Sequence, residues 1–515
     1  MANTSPTNPT APLPFKMHIT PDNTGLWRIR QTEEAARTVT ELLQKDMENH
    51  HVFFNQDGYH NHIPHHLLAL YGTGADPAAL RAAYSHNESY QRPVMPSHRD
   101  DLPVVPFLPW PAAAQPYLSK EEYYPDFLRF FQSETSRLGG WREVVGRYLL
   151  GLDMGGKGGS QGLGSRGVEE KRGGAGGGVG GVVLGEERGK KEDSPLLVRL
   201  FAGFLHPMIQ LMYGIEWAQE AVVAEGLAQT AVHSADIGEF LMAAEELAEK
   251  KYRKEKDSGQ QQQKRESVLS LLTEVRSNPK LATAARMSDA NKIRDGVMAR
   301  AKEEMLAVAA KVRVMPGEVE ERTAEMLQAA LFMATAAALE RTPGKKPARI
   351  DFFLMHHVTS SPFFITLNAQ PWVPAASKAR LLEWKIRMDL LQYAARGAPE
   401  LSVDKLANYQ PKHHPDATGE PPKGPADIIS RLHTIPDDGH SIKLGRAAVI
   451  CHDICRKFED DPHHQPHDWL VIRGDDMWRR VCHLIVDSVE VTSGPRWVRS
   501  TGFEEAWKDV PDVEG

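Results

Sequence analysis

A chain of 515 residues, 41% hydrophobic and 25% charged, can bury a sizeable core and has the balance of an ordinary globular protein. Its 61 basic and 68 acidic residues are well mixed and sum to −7, which leaves no basic face or tail for nucleic acid. Three cysteines cannot build a disulfide framework, the polar N-terminus MANTSPTNPTAPLP lacks the regions of a secretory signal, and the longest apolar run, Met326–Leu339, falls short of the about 20 residues that span a bilayer. The expectation is a cytoplasmic protein with no membrane segment.

In chain order, Thr32–Met47 (TEEAARTVTELLQKDM) has apolar positions three or four apart and predicts the first helix. HNHIPHHLLALYGTGAD (60–76) predicts the second. Asn61 can cap it, Pro64 is tolerated in a first turn whose N–H groups have no partner, and Gly72 and Gly74 end it. His62 and His66 are then four apart on one face, with His65 one position off, a spacing that suits a metal. The competing reading is histidines that cap the helix or bond within the core.

Residues 151–189 hold 17 of the 41 glycines. Few side chains to pack and much backbone entropy to lose predict a disordered insertion, taken as 151–193. Gly151, Gly156 and Lys157 meet the spacing of a phosphate loop, but Gly158 stands where a magnesium-binding hydroxyl is needed, and the preceding WREVVGRYLL is helical in pattern. GFLHPMIQLMYGIEWAQEAVVAEGLAQTAVH (203–233) again sets a histidine, His206, before a proline at a helix start. Glu216 and Glu225 lie there among apolar residues. A buried carboxylate needs a partner, such as a metal-ligating histidine, although Glu216 could instead open the following helix. The charged stretch 249–267 predicts a solvated linker or frayed helix end.

Ser288–Val312 and Val319–Glu340 are rich in strong helix formers at helical spacing. RIDFFLMHHVTSSPFF (349–364) embeds His356 and His357 among apolar residues. Only one of two adjacent histidines can face the interior from a helix, and His356, four residues after Phe352, shares its face. DDGHSIKLGRAAVICHDICRKF (437–458) predicts a helix capped by Asp437 or Asp438, with an inward stripe of His440, Lys443, Leu444, Ala447, Ile450, Cys451 and Ile454. Lys443 on that stripe either snorkels, pairs with Asp437, or is buried with a lowered pKa. A neutral Lys443 amine could act as a base, or take up carbon dioxide to form a metal-ligating carbamate. Strand signals and internal repeats are scarce, so the predicted fold is all-α, a single large helical domain over 1–515. Four imidazoles and an oxygen donor suit iron, zinc, copper or nickel better than magnesium or calcium.

These motifs, together with YQRP (90–93) and DANKIRDGV (289–297), resemble the questin oxidase-like family of fungal proteins over most of the chain outside the two insertions. The resemblance implies oxidative cleavage of a quinone or related aromatic polyketide ring with dioxygen, and an association with NADPH. By motif position it implies His62, His206, His356 and His440 as metal ligands, with Lys443 beside them. Iron is the ion expected, because it allows dioxygen chemistry. Lys443, His66 and Glu216 are the candidate catalytic groups, and Phe352, Phe353, Phe363, Phe364 and Trp384 are candidates to stack on a flat substrate. No G-x-G-x-x-G follows a strand, so the sequence offers neither a flavin nor a nicotinamide Rossmann loop. Two other readings stand beside this one. His452-Asp453 could belong to an HD-type metal phosphohydrolase, and the histidines could be structural in a non-catalytic helical binding protein.

Overall fold

The computed structural model describes residues 15–98, 107–154, 194–258, 265–339, 346–412, 424–459, 467–491 and 493–513. Among these residues the chain is helical, and the only β features are isolated bridges pairing His50 with Pro93, Phe53 with His60 and Asp351 with Val498. Residues 155–193, most of the Gly-rich insertion, lie outside the described residues.

Most predicted helices form close to their expected limits. Thr32 caps Glu33–Asn49 by accepting from the Ala35 N–H, and Val319–Ala337 is buried along nearly its whole length. One expected helix is broken. Ser288–Val312 resolves into a π-helical turn, Lys292–Met298, and a short α-helix, Lys302–Ala309, with Ala301 off helical geometry between them. Polar side chains compete with the backbone ladder there: Asn291 accepts from the N–H groups of Ile293 and Arg294, and Asp289 binds Arg300. The charged stretch at 249 begins inside a helix, Ile237–Asp257, and Ser267 then caps the next, Val268–Ser277.

A continuous apolar core runs from Met17 to Val489. At its centre the helices Ile63–Gly72, His206–Glu216, Phe352–Thr359 and His440–Glu459 converge, with Val319–Ala337 and Ala375–Ala395 behind them. The Phe352–Thr359 helix is enclosed on more than one side, and both His356 and His357 are buried, contrary to the one-face expectation. No helix among the described residues is long and apolar enough to cross a membrane.

Candidate metal centre

The four helices present their histidines through local chemistry that can be followed residue by residue. Asn61 accepts from the Ile63 N–H at 2.9 Å and anchors its own amide on Asp46, which leaves His62 as the residue that starts the helix. His206 follows three consecutive residues with positive φ, Gly203 (53°), Phe204 (53°) and Leu205 (66°). Left-handed backbone at Phe and Leu costs about 1–3 kcal/mol each. In return the turn folds the Gly203 carbonyl onto the His206 ring, where Nδ1 donates at 2.7 Å. Asp351 caps the Phe352–Thr359 helix, and His356 Nδ1 donates to the Phe352 carbonyl at 2.6 Å. Asp437 accepts from the N–H groups of Gly439 and Ser441 at 2.7 and 2.9 Å, so it is the cap of the helix that His440 opens.

Asp438, freed from capping, bridges two ligand candidates. One carboxylate oxygen accepts from His62 Nδ1 at 2.9 Å, and the other accepts from His440 Nδ1. All four rings therefore spend Nδ1–H on a carbonyl or carboxylate and turn a bare Nε2 inward, the tautomer of a metal-bound imidazole held by its surroundings. The Nε2 atoms of His62 and His206 stand 2.9 Å apart, and those of His356 and His440 stand 3.2 Å apart. Candidate ligand nitrogens of His62, His206 and His440 all lie within 4.8 Å of one another. Metal–nitrogen bonds of about 2.0–2.1 Å place neighbouring ligand nitrogens about 3 Å apart, so the cluster fits a transition metal. Facing lone pairs this close repel without a cation or a proton to share.

Electrostatics favours neutral rings at His62, His206 and His356. Burial lowers the His62 pKa to about 3 and, with the neighbouring imidazoles adding, holds His206 and His356 well below the usual histidine range. Burial opposes ionisation of Asp438, but the His440 and His62 imidazoles hold it well below the usual carboxylate range.

Lys443 is buried one turn after His440, and its ammonium lies 3.1 Å from His65 Nδ1. Desolvation draws its pKa down to about 8. Its partner is thus His65, neither solvent nor Asp437. His65 also packs on His62 with ring centres 5.0 Å apart, whereas His66 turns away toward Asn87 and packs under Gly439. Gly439 is required there: its φ is +86°, and a Cβ would meet the His66 ring at 2.5 Å. Glu216 stands at the far end of the His206 helix, roughly 15 Å along its axis. It accepts from the Leu26 N–H at 2.7 Å and pairs with Arg446, bracing the Lys443 helix rather than holding an imidazole. It closes its own helix and does not open the next, which begins at Glu220.

Of the aromatic candidates, Phe352 lies against His356 and His440, with ring centres 4.9 and 5.2 Å away, and Phe353 lies beside it. Phe363, Phe364 and Trp384 are fully buried in the core. A further pair that sequence reasoning did not single out, His60 and His233, joins Nε2 to Nε2 at 2.8 Å, and His60 stacks on His206 at 4.1 Å. Alternation in H-N-H was the available signal, since residues two apart share a side in extended chain. His452 packs against Trp478, and Asp453 is largely exposed 3.9 Å from it; among the described residues no third ligand gathers there, so the HD pair finds no support.

The questin oxidase-like family model matches residues 59–448, a span that contains all four inward-facing histidines, Asp438 and Lys443. The chain belongs to the questin oxidase-like family. Similar proteins include the Baeyer–Villiger oxidase ptaJ of Pestalotiopsis fici, 31% identical over 97% of this chain and 98% of that protein. The questin oxidase of Aspergillus fumigatus is 33% identical over 93% and 94%. The Baeyer–Villiger monooxygenase AacuH of Aspergillus aculeatus is 31% identical over 95% and 93%. This questin oxidase-like chain is an oxidoreductase of the Baeyer–Villiger type.

Proposed function

We propose that the protein opens a ring of an aromatic polyketide quinone with dioxygen, at iron held by His62, His206, His356 and His440 and with Lys443 as base or, once carbamylated, as a fifth ligand. The observation that carries the reading is the set of four inward Nε2 lone pairs, each fixed by an engaged Nδ1. When bound, the ion supplies Lewis acidity and redox chemistry toward dioxygen. The overall reaction inserts one oxygen atom between a ring carbon and its carbonyl carbon. The second atom leaves as water, with two electrons and two protons drawn from dissolved NADPH and solvent. Hydrolysis of the resulting lactone then opens the ring.

The chain's own residues supply orientation and proton handling. Asp438 keeps His62 and His440 in the ligating tautomer, and the Gly203 and Phe352 carbonyls do so for His206 and His356. A pKa near 8 leaves roughly a tenth of Lys443 neutral at pH 7, so Nζ can accept a proton from a substrate phenol. His65 Nδ1, 3.1 Å away, shares that proton. His66 and Glu216 support the site from behind. All three cysteines are free and buried, in keeping with work in the cytoplasm.

The test is elemental analysis of purified protein combined with oxygen uptake on a hydroxyanthraquinone with NADPH. Near-stoichiometric iron, uptake dependent on the quinone, and loss on chelation support the reading. Absence of any stoichiometric transition metal, with activity surviving chelation, removes it.

A further inference from the structure

Phe204 is unusual on three counts. Its φ is +53°, a conformation that phenylalanine rarely adopts, and its neighbours on both sides share the left-handed region. The residue is 44% exposed, although it lies two positions before a buried ligand candidate. That ring contacts Phe353, with centres 4.9 Å apart, and comes within 6.2 Å of the His356 ring. Forming the hydrogen bond to His206 requires the Gly203 carbonyl, not an aromatic side chain at 204, so the strain does not explain the phenyl group.

Beyond this ring the surface stays aromatic and becomes cationic. Phe352 and Phe353 are only partly buried, and Trp497 lies 6.1 Å from the His440 ring. The Arg499 guanidinium, on an exposed residue, stands 5.0 Å above Phe352. The Arg396 guanidinium stands 4.2 Å above Phe353; this residue is only 5% exposed, and its Nε has no hydrogen-bond partner among the described residues. A buried guanidinium N–H without an acceptor costs free energy that an anionic ligand atom would restore. Lys292 of the DANKIRDGV segment adds a third cation nearby, 6.0 Å above Phe503, which packs on Gly397 next to Arg396. Partly buried rings beside two guanidinium groups match a planar, anionic aromatic molecule.

We propose that Phe204 and Phe353 form the stacking platform for the substrate's fused rings, and that Arg396 and Arg499 select a substrate carrying a carboxylate or phenolate. This rests on the oxidase reading above and narrows its substrate class from aromatic polyketides in general to acidic ones. Phe204 is on this account a specificity-determining residue, in a turn whose strain is maintained by the same carbonyl that orients His206.

Binding to the full-length, metal-loaded protein separates the possibilities, with anthraquinone-2-carboxylate and its neutral methyl ester as probes, followed by tryptophan quenching. Phe204→Ala is expected to weaken both probes about tenfold and to raise KM more than it lowers kcat, with Phe204→Trp restoring both. Arg499→Gln and Arg396→Gln should weaken the carboxylate about tenfold and leave the ester unchanged, with iron content equal to that of the parent. Because Arg396 is buried, Arg499→Gln decides if Arg396→Gln misfolds. Wild-type affinity in Phe204→Ala, or equal loss of both probes in Arg499→Gln, overturns the proposal. If the parent protein shows the expected binding pattern yet takes up no oxygen with any quinone, the oxidase reading fails while the anion-selective platform stands.

Discussion

Asp438→Asn isolates the part of the candidate centre that touches no ion. The carboxylate accepts from two imidazoles, one on each oxygen, and an amide has a single acceptor. Whichever histidine keeps the amide oxygen, the other meets an NH₂ group, and its Nδ1 must become the acceptor. The ring proton then moves to Nε2 and points into the site, which blocks ligation. Losing an orienting partner of one ligand typically lowers metal affinity 10–100-fold. Two of four candidate ligands depend on this residue, which argues for the upper end, about 100-fold or ~2.8 kcal/mol. The assay is anaerobic competition for Fe(II) between protein and a chelator of known affinity, with Asp437→Asn alongside. Asp437 caps the same helix, so its amide should cost about 0.5–2 kcal/mol of stability or less and leave affinity near the parent value. Parent-like affinity in Asp438→Asn, or equal losses in both variants, would refute the tautomer reasoning.

Other outcomes follow from the buried ionisable groups. Burial lowers His62 to about 3 and His66 and His233 to about 4, so below pH 6.5 the unfolded chain binds protons that the folded chain refuses; stability is lost as pH falls. Each contributes about 1.4 kcal/mol of loss between pH 7.5 and 5.5, together about 4 kcal/mol for the metal-free protein, measurable by urea unfolding. Burial raises Glu225 to about 8, so there the folded state holds a proton that the unfolded state releases, and stability falls as pH rises from 4.5 through 8. Glu225→Gln should therefore exceed the parent in thermal stability at pH 8, by up to about 4 kcal/mol, and match it near pH 4.5. Asp453→Asn should leave iron content and oxygen uptake unchanged, because the His452-Asp453 pair lies outside the imidazole cluster; loss of either would reopen the assignment of that pair.

Much of the architecture was legible because its signals are local. Proline directly after His206, and one residue on from Ile63, announced helix starts; the expected stripe from His440 to Ile454 is buried as far as Cys451, but so are all the residues between, because the helix is enclosed on every side up to His452. The bridging role of Asp438 was not legible because two adjacent aspartates before a helix offer one cap, and periodicity cannot say which of them is released for other work. His357 departs from the one-face expectation because its helix is enclosed on more than one side, and His357 donates to Asp389 at 2.5 Å. The left-handed turn at 203–205 was not legible for an energetic reason: Phe and Leu disfavour that conformation, and the contacts that accompany it, the His206 bond to the Gly203 carbonyl and the Phe204 ring on Phe353, appear only in the folded chain. Glu216 was misplaced because its partner, Arg446, lies 230 positions away.

The separations in sequence carry one more consequence. His62 meets His206 across 144 positions, and Asp438 reaches back to His62 across 376. An ion captured there would tie four distant quarters of the polypeptide through one knot, and only in the folded chain. Every tenfold rise of free ion above its dissociation constant then deepens the native basin by about 1.4 kcal/mol. Scarcity of the ion would thin out the protein itself, through unfolding and proteolysis, as well as silencing the molecules that remain.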